Sequence, residues 1–299
     1  MTVFNPNSPD SNLEKELHLP LAWNRNFFSV GMTVVAFVLT GIALLPLFAI
    51  IWSITSQGIS GLSLEVFIAL PAPVGVEGGP NGFANAIVGT LTMVGIGAII
   101  SIPIGILTGI FLCEFAAGST IANSIRFVTV ILSSVPSVIV GVFAYGVLVV
   151  TTKQFSAIAG GFALGVIMIP IISLTTEEAL KLVPVSYRLG SAALGGNKFQ
   201  TTLKIIVPTA IPGITTGVLL AVARAAGETA PLMFTALFSQ FWQEGLMSPT
   251  PSLPVLIYNY ASSPFPEQNK IAWTASLVLL LLVLITSLLS RLLTRRKHQ

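Results

Sequence analysis

The sequence predicts an all-α membrane protein that crosses the bilayer six times. Of its 299 residues, 54% are apolar and only 8% are charged, whereas ordinary soluble domains carry roughly 25% charged residues. A water-exposed surface needs about 25–35% charged residues, so this composition excludes a soluble globular enzyme. Six apolar stretches also reach the length of about 20 residues that crosses a hydrocarbon core as a helix.

The first three predicted helices comprise residues 27–52, 86–113 and 127–152. The first lies in a charge-free run and is too long for the apolar region of a signal peptide, so we expect an uncleaved anchor. The second ends before Glu114, and the third is bounded by Arg126 and Lys153. These residues mark helix ends because charged side chains avoid the hydrocarbon.

The last three predicted helices comprise residues 156–175, 212–238 and 271–290. A tight turn around Lys153 connects the third helix to the fourth. The fifth helix alone contains charges, Arg224 and Glu228, and the sixth ends at Arg291.

Glycines and prolines inside the apolar stretches predict how the helices pack. Three glycine pairs are spaced by about one helical turn, which lets neighbouring helices approach closely. Prolines are expected to kink their helices, because proline lacks the amide hydrogen that bonds to the preceding turn. The glycine pairs are Gly105 with Gly109, Gly161 with Gly165 and Gly213 with Gly217, and the prolines are Pro46, Pro103, Pro136 and Pro170.

Lysine and arginine are unevenly distributed over the two sides that six crossings define. Eleven fall on the side of the termini, and only Lys153 and Lys270 fall on the other side. The positive-inside rule therefore predicts that an N-terminal tail of residues 1–26, a loop at about 176–208 and a basic tail of residues 294–299 are cytoplasmic. The eleven residues are Lys15, Arg25, Arg126, Lys181, Arg188, Lys198, Lys204, Arg291, Arg295, Arg296 and Lys297.

The reactive side chains exclude several kinds of enzyme. Both histidines, His18 and His298, lie in the tails, so no imidazole is available within the membrane for a nucleophile or a metal site. The single cysteine, Cys113, cannot form an internal disulfide. No phosphate-binding loop occurs in the sequence, which indicates that this chain does not itself hydrolyse ATP.

The cytoplasmic loop is predicted to form two short helices, broken by Pro184 and by Gly195 with its neighbour. Nine residues separate Gly195 from Ile205, and Val207-Pro208 follows. This spacing resembles the cytoplasmic loop of binding-protein-dependent ABC importers, where Glu-Ala-Ala, three residues, Gly and nine residues precede Ile-x-Leu-Pro. The glutamate of that pattern falls on Leu189 here.

Apolar side chains in this loop have no core nearby in the sequence. A short amphipathic helix normally packs on its own domain, but the missing local core favours docking to a partner, here the ATPase that the resemblance implies. The residues assigned to this coupling loop are Leu189, Gly190, Ser191, Ala192, Ala193, Gly195, Lys198, Phe199, Ile205 and Pro208.

The charges in the fifth helix predict a substrate pathway formed by Arg224, Glu228 and Thr229. Arg224 and Glu228 are four residues apart and can pair on one helical face. A charge in the bilayer centre costs roughly 2.5–3.5 kcal/mol, so such residues usually serve a function. The planar fork of arginine suits a phosphate-like anion. The alternative is a structural ion pair that locks two helices together.

Four motifs make the resemblance specific. They are GFANAIVGT (82–90), TTEEALKLVP (175–184), ARAAGETAPL (223–232) and SLPVLIYNY (252–260). Together they resemble the permease subunits of phosphate ABC importers, most closely the A-type subunit, over residues 27–293.

That resemblance implies a type I ABC importer permease fold in the bacterial inner membrane, half of a pathway for inorganic phosphate. It also implies four kinds of partner: a C-type permease subunit, a dimer of ATP-binding subunits that hold ATP and Mg, an extracytoplasmic phosphate-binding protein, and membrane lipid. The resemblance gives this chain no cofactor of its own and no nucleic acid to bind.

Other functions remain open from the residues alone. A permease of the same fold could carry sulfate or molybdate, because Arg224 does not choose among tetrahedral anions. An ion-coupled secondary transporter could use Arg224 and Glu228 as a relay, although it predicts repeated broken helices. A membrane scaffold would leave the charge pair unexplained.

The charge asymmetry predicts the topology of the chain in intact cells. A cysteine placed at Ser60 or Ser263, in a variant that lacks Cys113, should react with an impermeant thiol reagent added outside. A cysteine at Ser186 should react only after the membrane is opened, because the positive-inside rule places it in the cytoplasm. Labelling of the Ser186 position in intact cells would reverse the orientation.

Overall fold

A computed structural model describes residues 23–75 and 79–295, and these ranges form helices joined by turns and loops without a strand. Of the N-terminal tail predicted for residues 1–26, residues 1–22 lie outside the described ranges. Of the basic tail predicted for residues 294–299, residues 296–299 lie outside them. The helices are α1 (Trp23–Ile59), α2 (Ala84–Ile110), α3 (Thr120–Ser134), α4 (Ser137–Ala144), α5 (Ala157–Lys181), α6 (Val185–Ala193), α7 (Lys198–Thr201), α8 (Val207–Ala226), α9 (Ala230–Thr235), α10 (Leu253–Ala261) and α11 (Pro266–Arg295).

Three π-helical turns extend these helices. Phe111–Phe115 continues α2, Tyr145–Val149 continues α4, and Thr202–Ile206 joins α7 to α8 without a break. Among the described residues, five helical stretches are long and apolar enough to cross a membrane, and the bent pair α3 and α4 makes six if it counts as one crossing. The all-α membrane fold predicted from the sequence is confirmed, although several helix bounds differ.

The chain divides into two compact units, residues 1–53 and residues 54–299. In the first unit, the described residues form most of α1. Its apolar side chains are exposed along the helix, for example Phe27, Phe37 and Phe48. The second unit contains all the other helices and the buried cores.

The third predicted helix, residues 127–152, is in fact two helices. It begins earlier, at Thr120, and α3 and α4 meet at 101°. Val135, the residue before Pro136, has an extended backbone, because the proline ring disfavours a helical conformation there. Pro46, Pro103 and Pro170 lie inside helices that they do not interrupt, and the kinks expected there stay predictions.

The fourth and fifth predicted helices have different bounds in the structure. The fourth, predicted as 156–175, continues to Lys181. The fifth, predicted as 212–238, corresponds to one stretch from Lys198 to Ala226. It begins early because Asn197 and Gln200 form a capping box that satisfies backbone amides at its start. It ends early at Gly227, after which the chain forms the separate short helix α9.

Helices α2 and α5 pack closely because glycine replaces side chains along their interface. A Cβ atom added at Gly105 would lie 2.7 Å from Cβ of Ile172, and one added at Gly161 would lie 2.6 Å from Cβ of Ile96. At Gly109 an added Cβ would lie 2.6 Å from Cβ of Thr176. The close packing predicted from the glycine pairs is therefore confirmed for these positions, as expected where small residues let helix backbones meet.

Buried residues form three main clusters in the second unit. The central cluster joins α2, α5, α8 and α9 through residues such as Met93, Leu164, Ala221 and Leu232. A second cluster joins α2, α10 and α11, and a third joins the ends of α2 and α5 to α8. These clusters fix the two ends of α8, which carry the candidate functional residues.

The α2–α5 interface predicts different outcomes for two identical substitutions in α2. Gly105→Ala should destabilise the protein by about 1–3 kcal/mol, because its new methyl group overpacks the contact with Ile172. Gly95→Ala is the matched control, since no atom lies within 4 Å of its added Cβ. Thermal unfolding in detergent measures both variants. Equal stability of the two would contradict the packing described here.

Candidate functional site

Arg224 and Glu228 lie together at the end of α8. Nε of Arg224 is 3.5 Å from Oε1 of Glu228, so the predicted pair forms. Thr229 follows directly and is the residue before α9. The sequence therefore placed these three residues together correctly.

The pair does not lie in the middle of a helix, as the sequence predicted. Arg224 belongs to the last turn of α8, and Glu228 lies beyond Gly227, where the helix ends. A positive charge in the last turn is favourable, because the C-terminal end of a helix carries partial negative charge. The expected single helical face is replaced by a contact between a helix end and the loop that follows it.

Arg224 points away from the core of its own chain. Its side chain is 58% exposed, whereas its helix neighbours Ala221 and Ala225 are fully buried. Glu228 is far more enclosed, at 15% exposure. A guanidinium cannot face lipid cheaply, so the exposed face of Arg224 must meet water in a pathway or polar groups of a partner.

The segment after the pair packs against the broken helix. A Cβ atom added at Gly141 in α4 would lie 2.7 Å from Cα of Pro231 in α9. Glycine is required here because the backbones of the two helices meet. Glu228 of the charge pair is thus only three residues from the contact between Pro231 and α4. A movement of α4 would therefore displace the chain close to the charge pair.

At the other end of the α7–α8 stretch lies an exposed apolar surface. We call Val185, Leu189, Ala192, Ala193, Leu194 and Phe199 the docking surface. Leu194 is 92% exposed and Leu189 is 66% exposed. Monomeric proteins rarely leave such residues clustered in water, so the cluster indicates a protein contact.

The residues predicted for coupling divide into exposed and internal ones. Ser191 is buried, and its Oγ lies 2.7 Å from Oγ1 of Thr201, so it ties α6 to α7. Ile205 is partly buried against the third cluster. The exposed ones are Leu189, Gly190, Ala192, Ala193, Gly195, Lys198, Phe199 and Pro208.

The predicted breaks in the loop are also present. Pro184 precedes α6, and Gly195 turns the chain with a φ of +80°. The amide of Gly196 donates to the carbonyl of Ser191 at 2.9 Å, which closes the end of α6. A left-handed backbone at Gly195 favours glycine because a side chain there is strained.

Two buried ion pairs near the docking surface were not predicted from the sequence. The first joins Arg188 of α6 to Glu114 of the π-helical turn after α2, with Nη2 to Oε1 at 2.6 Å. The glutamate side chain is only 7% exposed. The hydrogen bond to Glu114 raises the pKa of Arg188 above its usual value, which keeps the guanidinium charged.

The second ion pair joins Arg126 of α3 to the buried Glu177 of α5, with Nε to Oε1 at 2.8 Å. Nη2 of Arg126 also donates to the carbonyl of Leu112 at 3.1 Å. One signal for both pairs was present in the sequence: acidic residues at the ends of apolar helices need partners in a chain with few charges. The arginine partner of each glutamate was not identifiable from the sequence. Arg126 is 51 positions from Glu177, and Arg188 is 74 positions from Glu114.

Within the described ranges, His, Cys, Asp and Glu side chains form no group that could hold a metal ion. The residues that gather instead offer positive charge to an anion at one end of α8 and apolar surface to a protein at the other. The stretch between them has 29 residues, or about 43 Å of helix.

Comparisons with known proteins show which family the chain resembles. The family model described as binding-protein-dependent transport system inner membrane component matches residues 101–299. The phosphate transport system permease protein PstA of Yersinia pestis is 40% identical over 294 residues, which cover 97% of each chain. The protein of the same name from Haemophilus influenzae is 40% identical and covers 94% of this chain and 98% of its own.

Solved structures share the fold at lower identity. A chain of a bacterial alginate ABC transporter, in complex with an alginate-bound periplasmic protein, has a TM-score of 0.63 and 15% identity, and the match covers 91% of this chain and 96% of that one. A chain of the inward-facing MetNI methionine ABC transporter has a TM-score of 0.57 and 21% identity, over 71% of this chain and 94% of that one.

Proposed function

The chain belongs to the family of binding-protein-dependent transport system inner membrane components, and we propose that it forms half of the pathway for inorganic phosphate in an ATP-driven importer. The observation that carries this proposal is the 40% identity to a phosphate permease across 97% of both chains. In this chain, the exposed guanidinium of Arg224 is the group that we propose binds the phosphate anion. The chain is a transport subunit, and ATP hydrolysis lies with a separate ATPase component.

Membership of the family makes this chain an inner membrane component and implies an ATPase and a binding protein as its partners. We further propose a C-type permease subunit as the other half of the pathway and a dimer of ATP-binding subunits that hold ATP and Mg. The binding protein delivers phosphate from outside. The excess of positive charge on the docking side supports cytoplasmic termini and a docking surface that faces the ATPase.

Arg224 offers the anion a positive charge that is only weakly paired with Glu228. The distance between Arg224 and Glu228 is 3.5 Å, from Nε to Oε1, and within residues 23–75 and 79–295 the two terminal nitrogens of Arg224 donate no hydrogen bond. Two such nitrogens can donate to two phosphate oxygens. Glu228 then limits how tightly the anion binds, because conduction requires that the site also release it. Thr229 follows Glu228 directly in the chain, and we assign it to the same pathway.

Uptake of labelled phosphate by cells that lack this chain, with and without its gene restored, tests the proposal. Restored uptake supports phosphate transport when an excess of unlabelled sulfate or molybdate leaves that uptake unchanged. If sulfate or molybdate suppresses uptake as phosphate does, the chain serves another or a broader set of oxyanions. Unchanged uptake without the chain would overturn the proposal.

Arg224→Gln should abolish phosphate uptake while protein level and partner assembly stay close to normal. Glutamine retains hydrogen-bonding capacity but loses the permanent charge and the fork. Glu228 lies beyond the end of α8, so the loss of its partner breaks no helical contact and the chain should still fold. Uptake and membrane abundance are measured together.

The double variant Arg224→Gln/Glu228→Gln separates the anion role from a structural one. A pair that only locks the fold would give low abundance in the single variant and normal abundance with normal uptake in the double variant. Restored uptake in the double variant would mean that Arg224 does not serve the anion.

Gly195→Val should leave the protein in the membrane but uncouple it from ATP hydrolysis. The left-handed backbone costs a non-glycine residue roughly 1–2 kcal/mol, so the turn beside the docking surface changes shape. Gly118→Val is the matched control, because Gly118 has a φ of +78° and equally open surroundings but lies outside the docking surface. Normal phosphate transport per ATP in Gly195→Val would contradict this role.

A further inference from the structure

Helix α6 is attached to its own chain by few contacts. Val185, Leu189 and Leu194 all point outward from it, so little apolar packing holds the helix in place. The described contacts that fix it from within are the hydrogen bond of Ser191 to Thr201 and the contacts of Arg188. The attachment of α6, which carries most of the docking surface, therefore depends strongly on two side chains.

Arg188 joins α6 to two long helices at once. Nη2 lies 2.6 Å from Oε1 of Glu114, and Nε lies 3.5 Å from its Oε2. Nη1 donates to the carbonyl of Val183 at 2.8 Å, and Nη2 donates to the carbonyl of Leu180 at 3.2 Å. One guanidinium thus contacts the π-helical turn that continues α2 and the C-terminal end of α5.

The geometry of this contact resists sliding. An arginine fork paired with both oxygens of a carboxylate fixes direction as well as distance. The carboxylate is almost fully buried, so separation of the pair leaves a charge without water or a partner. By contrast, an exposed pair such as Lys181 with Glu178 is readily replaced by water.

We propose that Arg188 is a positioning residue that makes α6 move with α2 and α5 as one rigid body. This inference rests on the proposed function, in which a partner ATPase displaces the docking surface. The displacement passes through Arg188 to Glu114 in the turn after α2 and to the end of α5. Because α2 and α5 are packed through glycine contacts, both helices then move together.

The distance between two spin labels tests rigid-body movement in the purified importer complex. One label is placed at Ser186 on α6 and one at Leu107 on α2, both exposed, in a Cys113→Ala background. In the otherwise unchanged chain the distance should be the same without nucleotide and with ATP. In Arg188→Gln the distance should change when ATP is added, because α6 then moves without α2.

Transport measured per ATP hydrolysed gives a second readout. Arg188→Gln should lower the phosphate moved per ATP by about tenfold, within the range of coupling free energies between distant sites, while ATP hydrolysis continues. Arg188→Lys should restore part of the phosphate transport per ATP, because an ammonium group keeps the charge but not the two-pronged geometry of the guanidinium. Lys204→Gln, which removes an exposed charge from the same region, should change neither readout.

Glu114→Gln covers the case in which Arg188→Gln does not assemble. It preserves the shape of the side chain and leaves the contacts of Arg188 with Val183 and Leu180 in place, so the complex should form with the same loss of coupling.

A constant label distance in these variants would overturn the inference, as would an ATP-dependent change of that distance in the unchanged chain. Equal losses of transport and ATP hydrolysis would indicate a structural role only. If the labels behave as expected but phosphate is not taken up, the proposed function fails and the rigid-body inference stands.

Discussion

The close contact between α2 and α5 is the interaction on which the rest of the second unit depends. Helix association within a membrane gains little from hydrophobic burial, because lipid tails are as apolar as the side chains. Contact must then come from backbones that meet, and Gly105, Gly109 and Gly161 permit this. The central and third clusters form on this helix pair, and both buried arginine contacts end on it.

The charges of the chain have different roles according to how much water they reach. Glu114 and Glu177 are nearly inaccessible and are satisfied by arginines from other helices, so they hold elements together. Arg224 is largely exposed and weakly paired, so its charge remains available. In a chain with so few charges, burial distinguishes the groups that hold helices together from the exposed group that we propose meets the anion.

Hydropathy alone predicted the long apolar helices, because the membrane imposes the same length on each crossing, and among the described residues five or six helical stretches could cross it. The ends were less predictable. Gly227 ends α8 inside an apolar run, and residues 230–238 continue that run without continuing the helix. The Arg224–Glu228 contact was predictable because it is local. The arginine partners of Glu114 and Glu177 were not, since a single sequence does not show which distant segments meet.

The π-helical turn at Thr202–Ile206 has a geometric consequence for the long helical stretch that contains it. Such a turn corresponds to one residue inserted into an α-helix, and each residue advances a helix by about 100°. The turn therefore sets the rotational phase between Phe199 on one side and Arg224 on the other. Removal of a single residue from it would rotate one end against the other while every side chain at both ends stayed the same. The number of residues in this turn thus fixes how the side chains at one end of the stretch are oriented about the helix axis relative to those at the other end.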